Sequence, residues 1–127
     1  MTTMQTVETF IVEDSPLIRE QLVTMLEDLT HVKVVGHADT ERGAAAALAG
    51  AAQGATLVVV DVILREGTGL GLLRNAALHR DGRRFVVLTN YATNDIRDEA
   101  LRLGADRVFD KSRQIDQLID YCEQLAS

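Results

Sequence analysis

Five residues able to support metal or phosphoryl chemistry follow short apolar segments of this 127-residue chain. Glu13 and Asp14 follow the first segment, Asp61 the third and Thr89 the fourth, while Lys111 lies two residues beyond the fifth. Three carboxylates brought close together repel one another and are stable only with a compensating cation. Because the ligands are carboxylates, with no His or Cys nearby in sequence, the pattern favours Mg²⁺ over zinc.

The same residues suggest a phosphoryl-transfer role, with Asp61 at its centre. A carboxylate beside a metal ion can act as a nucleophile and form an acyl phosphate. The Lys111 ammonium can pair with one phosphoryl oxygen, and the Thr89 hydroxyl can donate to another. Each residue also has an ordinary structural interpretation, such as a turn, a helix cap or a surface charge. Their joint occurrence at strand ends favours the chemical interpretation, since the structural explanations would have to coincide.

The elements that must position these residues can be predicted from hydrophobic patterning. Short runs rich in Val, Ile or Phe predict buried strands: Val7–Val12, Val32–His37, Thr56–Val60, Arg84–Leu88 and Arg107–Phe109. Between them, apolar residues three and four apart predict helices: Leu17–Leu29, Thr40–Gln53, Gly69–His79, Asn94–Leu103 and Ile115–Leu125. This alternation predicts an α/β fold with a doubly wound parallel sheet. In such a sheet the carboxyl ends of the strands share one edge, where ligands bind.

Composition excludes several other classes of protein. The chain is 46% hydrophobic and 25% charged, with a net charge of −6, which is typical of one globular domain. Its acidity argues against direct nucleic-acid binding. Without an apolar run of roughly 18 residues, membrane insertion is not expected. The N-terminus lacks a secretory signal pattern, and the single cysteine, Cys122, fits a cytoplasmic location and a buried thiol.

Three further features receive structural interpretations. Residues 1–6 are predicted to be a flexible N-terminus, and residues 7–127 a single domain that leaves no room for a second. Gly67, Gly69 and Gly71 are interpreted as a source of flexibility beside Asp61 rather than as a phosphate-binding loop. A basic cluster is expected to form a solvated loop opposite the functional edge; its members are Arg80, Arg83 and Arg84.

Four segments resemble the receiver domain of two-component response regulators, the CheY-like superfamily, in order and spacing. They are Phe10–Arg19, Leu57–Gly67, Val86–Asn90 and Gly104–Ser112. The resemblance implies the flavodoxin-like (βα)5 fold, a doubly wound parallel sheet with strand order 2-1-3-4-5. It also implies that Asp61 is the phosphoacceptor and receives the phosphoryl group from a histidine kinase or phosphotransfer protein.

The resemblance assigns roles to the residues around Asp61 as well. It implies that Mg²⁺ is held by Glu13, Asp14, Asp61 and the backbone carbonyl of Ile63. Thr89 and Lys111 are then the phosphoryl-contacting residues that act as the switch.

The chain departs from the family pattern around the switch. Ser112 follows Lys111 where the family has a proline in a cis bond, so a trans bond or a different loop is expected. Val108 stands where a switch aromatic is usual, and Phe109 follows it. Asn90 replaces a smaller residue beside Thr89, and Tyr91 is a candidate substitute for the aromatic.

Two of the positions that flank the path of attacking water in this family are Ile63 and Tyr91. Neither side chain is an acid or an amide that can orient water, so slow self-dephosphorylation is expected. The chain is therefore not expected to be an enzyme beyond that slow reaction.

The sequence favours a stand-alone phosphoryl-accepting signalling protein that acts through an unknown downstream protein. The main alternative is a receiver-fold interaction module that signals without phosphorylation. An aspartate phosphatase or a flavin carrier of similar fold is disfavoured. The phosphatase would need a second acid at Ile63, and the flavin carrier a Ser- and Thr-rich loop at 13–16.

Overall fold

A computed structural model describes residues 3–76 and 82–127, in which strands and helices alternate. The strands are β1 (Val7–Val12), β2 (Val32–Ala38), β3 (Leu57–Val60), β4 (Arg84–Thr89) and β5 (Arg107–Asp110). The helices are α1 (Pro16–Leu29), α2 (Glu41–Ala49), α3 (Gly69–Ala76), α4 (Asn94–Arg102) and α5 (Ile115–Ala126). All the predicted elements are present, and the differences lie at their ends.

The clearest of these differences concerns α2, which ends at Ala49 rather than at Gln53. Gly50 follows the alanine run as the C-cap, consistent with the low helix propensity of glycine. Thr40 lies outside the helix as its N-cap, and its side-chain oxygen accepts a hydrogen bond from Gly43 N–H at 2.9 Å. Residues 77–79 of the predicted third helix lie outside the described residues.

Strands β1 to β5 form one parallel sheet in the order β2-β1-β3-β4-β5, as predicted. Val12 pairs with Val60, and Val60 pairs with Val87, so neighbouring strands finish at nearly the same level. At the far side, Thr89 pairs with Asp110. The residues that follow β1, β3 and β5 therefore reach a common edge.

The sheet separates two hydrophobic cores. Helices α2, α3 and α4 cover one face, where the buried residues include Phe10, Val58 and Phe85. Helices α1 and α5 cover the other face, where Ile11, Val59 and their neighbours are buried. Each strand thus contributes alternate side chains to the two cores, as a doubly wound sheet requires.

The structure corrects the interpretation of the basic cluster. Arg83 is buried rather than solvated, and its guanidinium donates to the carbonyls of Leu48, Gln53 and Ala55, the first at 2.6 Å. The last carbonyls of a helix have no N–H partner within the helix. Arg83 supplies the missing donors at the end of α2 and just beyond it. Arg84 is exposed, and Arg80 lies outside the described residues.

Two contacts hold the chain to the domain just before β1. Met4 packs against the core on the α1 and α5 side, and Gln5 N–H donates to the carbonyl of Ala126 at 2.8 Å. Cys122 is fully buried in that core, as predicted, and burial raises the pKa of its thiol to about 12. Across residues 3–76 and 82–127, no helix is long and apolar enough to span a membrane.

Candidate functional site

The Lys111 ammonium lies between two carboxylates at the carboxyl edge of the sheet. Its Nζ donates to Asp61 Oδ2 at 2.6 Å and also to Glu13 Oε1. The three side chains are little exposed, at 12% for Lys111, 11% for Asp61 and 4% for Glu13. Charged groups so far removed from water are stable only when paired, and here one cation serves two anions.

Backbone hydrogen bonds place each of these residues one step beyond its strand. Glu13 N–H donates to the carbonyl of Ala38, and Asp61 N–H donates to that of Val12, both at 3.0 Å. Lys111 N–H donates to the carbonyl of Thr89, also at 3.0 Å. The sheet pairing therefore fixes the positions of the three backbones before any side chain is considered.

Further hydrogen bonds orient the two carboxylates. Glu13 Oε2 accepts from Ser15 N–H at 3.1 Å, next to the start of α1. Ser15 is also the N-cap of that helix and accepts from Ile18 N–H at 3.2 Å. Asp61 Oδ1 accepts from Val62 N–H at 2.6 Å. Each carboxylate thus holds one backbone N–H with one oxygen and Lys111 with the other.

The charge state of Lys111 follows from these contacts. Burial acts to lower its pKa, but the hydrogen bonds and charges of Asp61 and Glu13 act in the opposite direction and prevail. The pKa of Lys111 is consequently raised above its usual value. The lysine is therefore a fixed positive charge at neutral pH.

Asp14 follows Glu13, one of the two carboxylates paired with Lys111, and is half-buried. Over the described ranges, no group of three His, Cys, Asp or Glu side chains is arranged to hold a metal ion. Glu13, Asp14 and Asp61 offer only oxygen ligands, the type that Mg²⁺ prefers. The donor chemistry fits Mg²⁺, and the geometry shows Lys111 in the position of counter-charge to two of the three.

Thr89 ends β4 and is completely buried. Its Oγ1 accepts from Tyr91 N–H at 3.1 Å, which turns the chain immediately after the strand. Asn90 is exposed, and so are Tyr91 at 57% and Ile63 at 54%. The two side chains flanking the expected path of water are thus open to solvent and carry no group that binds Asp61.

Val108 and Phe109 face opposite sides of the sheet. Val108 is buried in the core under α4, whereas Phe109 is buried in the core with α1 and α5. Phe109 packs against the ring of Tyr121, with ring centroids 6.0 Å apart. Because Phe109 faces the other core, it does not take the place of the aromatic side chain expected at position 108. The Lys111–Ser112 bond is trans, as expected.

Arg97 occupies the space between α4 and β5, and sequence reasoning missed its role. Its guanidinium donates to the carbonyl of Ala92 at 3.1 Å, to the carbonyl of Val108 at 3.0 Å and to Gln114 Oε1. The same Gln114 oxygen accepts from Asp110 N–H at 2.9 Å. No local signal distinguishes Arg97 from other charged residues of a polar helix, so only the fold identifies it.

The glycines after Asp61 are explained by packing rather than by flexibility. Gly69 N–H donates to the carbonyl of Val62 at 2.9 Å. A Cβ atom built on Gly69 would lie 2.1 Å from the Asp61 carbonyl oxygen, which no side chain could tolerate. Gly67 has φ of +74°, in the left-handed region that glycine enters most easily. These glycines let the loop fold tightly over the end of β3.

Two curated relatives are similar to this chain in sequence. The transcriptional regulatory protein CitB of Klebsiella pneumoniae is 34% identical over 108 residues, which cover 84% of this chain and 44% of that protein. The DNA-binding transcriptional activator DevR/DosR of Mycobacterium tuberculosis is 30% identical over 99 residues, covering 78% of this chain and 45% of that protein. The chain thus matches less than half the length of either relative.

Solved structures share the fold at lower sequence identity. The signal receiver domain of NarL from Mycobacterium tuberculosis matches with a TM-score of 0.84 and 21% identity, covering 96% of this chain and 97% of that one. The response regulator domain of CheB from Thermotoga maritima matches with a TM-score of 0.79 and 19% identity, covering 96% and 94%. These likenesses establish the flavodoxin-like fold.

The family model of the response regulator receiver domain matches residues 9–123, which include every strand-end residue described above. The sheet order, the curated relatives and the family match agree. The chain belongs to the response regulator receiver domain family of two-component systems.

Proposed function

We propose that this chain accepts a phosphoryl group on Asp61 and signals through that modification. The observation that carries the proposal is the contact of Lys111 with both Asp61 and Glu13 at the carboxyl edge of the sheet. This arrangement places a nucleophilic carboxylate next to a fixed positive charge in a site with little exposure to water. It is suited to phosphoryl transfer, in which catalysis consists mainly of positioning and charge stabilisation.

In the proposed reaction an Asp61 carboxylate oxygen forms a bond to phosphorus while the donor's phosphorus–nitrogen bond breaks. The donor is the phosphohistidine of a histidine kinase or phosphotransfer protein, and the electron pair of the broken bond returns to its imidazole. Lys111, which donates to Asp61 in the unphosphorylated protein, would donate a hydrogen bond to one phosphoryl oxygen after transfer. The Thr89 hydroxyl would donate to a second phosphoryl oxygen.

Mg²⁺ is part of the proposal. Glu13, Asp14, Asp61 and the backbone carbonyl of Ile63 would hold it, since they supply only oxygen ligands. When bound, it supplies neutralisation of negative charge on the phosphoryl oxygens. The chain's own contribution is to hold Asp61 between Val62 N–H and the Lys111 ammonium.

The experiment is incubation with Mg²⁺ and acetyl phosphate, followed by intact-mass measurement. We expect the wild-type protein to gain the mass of one phosphoryl group, and Asp61→Asn to gain none. Asp28→Asn, at an exposed position of α1, is the matched control and is expected to behave as the wild type. Equal modification of Asp61→Asn and the wild type would refute Asp61 as the acceptor.

A receiver-fold interaction module that signals without phosphorylation is the second candidate. The observation that favours it is the buried Val108, which cannot change between the inward and outward positions available to an aromatic side chain at this place. The same mass measurement separates the two functions. A wild-type protein that gains no phosphoryl group while still binding its partner would establish the second.

The phosphorylated form is proposed to be long-lived, with no enzymatic turnover beyond slow self-dephosphorylation. Ile63 and Tyr91 are exposed and carry no acid or amide to orient an attacking water. The mass of the phosphorylated protein, followed over time after removal of acetyl phosphate, measures this directly. A lifetime of seconds at neutral pH would contradict it.

The signal is proposed to pass to a downstream protein in the cytoplasm. The net charge of −6 provides little attraction for the phosphates of nucleic acid, so direct DNA binding is not part of the proposal. Affinity capture with the phosphorylated and the Asp61→Asn protein as paired baits tests this. A partner retained by only one of the two supports it, and a DNA duplex retained by either contradicts it.

A further inference from the structure

Glu41, the first residue of α2, lies against the loop that follows Asp61. Thr68 N–H donates to Glu41 Oε1 at 3.0 Å, just before α3 begins. In the opposite direction, Glu41 N–H donates to the carbonyl of Glu66 at 3.0 Å. The backbone and the side chain of one residue therefore hold two successive parts of the segment that runs from Asp61 through the first turn of α3, here called loop 61–71.

Two glycines of this loop make room for the Glu41 side chain. A Cβ atom built on Gly67 would lie 2.4 Å from Glu41 Cβ, and one built on Gly71 would lie 2.3 Å from Glu41 Oε1. The Glu41 carboxylate thus packs against the backbone at the start of α3. A negative charge is favourable there, because the N–H groups at a helix N-terminus carry partial positive charge.

The opposite side of the loop touches the phosphoacceptor. Ile63 pairs with Thr68 in an antiparallel bridge, so the two arms of the loop run side by side. The next residue, Gly69, donates to the Val62 carbonyl and packs directly on the Asp61 carbonyl. Glu41 holds Thr68, and Thr68 adjoins the residue that contacts Asp61, so the path from Glu41 to Asp61 is short.

We infer that Glu41 is a positioning residue for the phosphoacceptor, holding loop 61–71 so that Asp61 and the Ile63 carbonyl keep their places. The inference rests on the proposed phosphorylation of Asp61. The exposed ion pair between Arg65 and Asp39, at 3.2 Å, joins the same loop to the end of β2. An exposed pair of this kind contributes little. Glu41 forms two hydrogen bonds with this segment, one through its side chain to Thr68 and one through its backbone to Glu66.

The test compares Glu41→Ala and Glu41→Gln with the wild type. The rate of phosphorylation by acetyl phosphate is measured by intact mass, and amide hydrogen exchange is measured at Val62 and Gly69 without phosphate donor. We expect Glu41→Ala to be phosphorylated about tenfold more slowly, since small displacements of reacting groups carry large penalties. Glu41→Gln should recover the wild-type rate within about twofold, because its amide oxygen still accepts from Thr68 N–H.

Hydrogen exchange reports on the same contact before any chemistry occurs. We expect faster exchange at Val62 and Gly69 in Glu41→Ala and wild-type exchange in Glu41→Gln. Arg42→Ala is the matched control, at the exposed neighbouring position of α2, and is expected to change neither measurement.

Gly71→Ala provides a second test that retains Glu41. In the wild-type background the added Cβ displaces the carboxylate, and the expected slowing matches that of Glu41→Ala. In the Glu41→Ala background the same substitution meets no carboxylate and should add no further slowing. This non-additivity is the signature of two residues that act through one contact.

The outcomes separate this inference from the proposed function. A wild-type protein that is phosphorylated at the same rate as Glu41→Ala overturns the role of Glu41 and leaves the proposed function intact. Faster exchange in Glu41→Ala with an unchanged rate also overturns it, since the contact would then be structural only. A wild-type protein that is never phosphorylated overturns both.

Discussion

At the scale of single residues, the site depends on one ammonium group shared by two carboxylates. Asp61 and Glu13 have different backbone partners, yet both direct an oxygen at Lys111 Nζ. If the lysine were absent, two poorly solvated negative charges would face each other. Lys111 therefore stabilises the unphosphorylated site as well as taking part in the proposed reaction.

This shared charge leads to a prediction about stability. Lys111→Met removes the counter-charge, so we expect the free energy of unfolding to fall by about 2 kcal/mol. Added Mg²⁺ should restore part of the loss, because a divalent cation can compensate the same carboxylates. Urea unfolding with and without Mg²⁺ measures both effects.

The control for that prediction is Lys33→Met, since Lys33 is the chain's other lysine and lies exposed on β2. It should change stability by less than about 0.5 kcal/mol with or without Mg²⁺. Equal losses in the two variants would show that Lys111 does not bear the electrostatic role assigned to it.

Strand-end reasoning predicted the residues whose placement depends on backbone pairing alone. Glu13, Asp61 and Lys111 each follow a buried apolar run, and pairing in a parallel sheet brings them to one edge. Glu41 and Arg97 escaped prediction because most of their partners are backbone groups outside their own helices. No sequence pattern indicates that the Glu41 carboxylate will accept a hydrogen bond from Thr68 N–H, 27 residues further along the chain.

At the scale of elements, Arg97 ties α4 to β5 and to the segment before α5. Its guanidinium reaches Ala92, Val108 and Gln114, which lie in three separate segments. Val108 is the position at which the family has a switch aromatic. In this chain Arg97 joins α4 to β5 through a hydrogen bond to the carbonyl of Val108.

This bridge between α4 and β5 can be tested by replacing the planar guanidinium with an ammonium. Arg97→Lys keeps the charge but cannot reach three acceptors, so we expect a loss of about 1–2 kcal/mol in the free energy of unfolding. Amide exchange should rise at Asp110, whose N–H shares the Gln114 oxygen with Arg97. Urea unfolding and hydrogen exchange provide the measurements.

Arg102→Lys is the matched substitution on the same helix, since Arg102 is exposed and pairs with Glu99 three residues earlier. Exposed pairs of this kind contribute little because water screens them, so its effect should be small. If the two variants lose similar stability, the bridge does not fix α4.

Element boundaries were predicted well where apolar periodicity ends and less well where caps decide them. Strand β2 extends to Ala38 because its pairing with Val12 continues beyond the apolar run. Helix α2 ends early at Ala49, with Gly50 as its C-cap, and the buried Arg83 donates to carbonyls at and beyond its end. A buried arginine whose partners are main-chain carbonyls has no sequence pattern, so a solvated loop was the natural expectation.

At the scale of the whole molecule, two cores on opposite faces of one sheet hold the functional edge in place. The core beneath α1 and α5 contains titratable groups as well as aliphatic ones. Burial is the main cause that raises the pKa of Tyr121, and it raises that of Cys122 from 9.0 to about 12. The pKa of Lys111 at the edge is raised as well.

These shifts predict that the fold loses stability on the alkaline side. A group whose pKa is raised on folding keeps its proton in the native state after the unfolded chain has lost it. The unfolded state then binds fewer protons, so the free energy of unfolding falls as pH rises. For Cys122 the fall begins near pH 9 and continues to about pH 12.

Cys122→Ala isolates one contribution to this slope. The substitution lowers stability at neutral pH because it leaves a small cavity, but it removes one titrating group from the difference between the folded and unfolded states. Between pH 9.5 and 10.5 we therefore expect the wild type to lose stability more steeply than the variant, by up to about 1.4 kcal/mol per pH unit. Urea unfolding at both pH values, with pH 7 as the reference, measures the two slopes. Parallel curves would mean that the thiol ionises equally in the folded and unfolded chain. That result would be incompatible with its complete burial on the inner face of α5, so the slope tests the packing of this core directly.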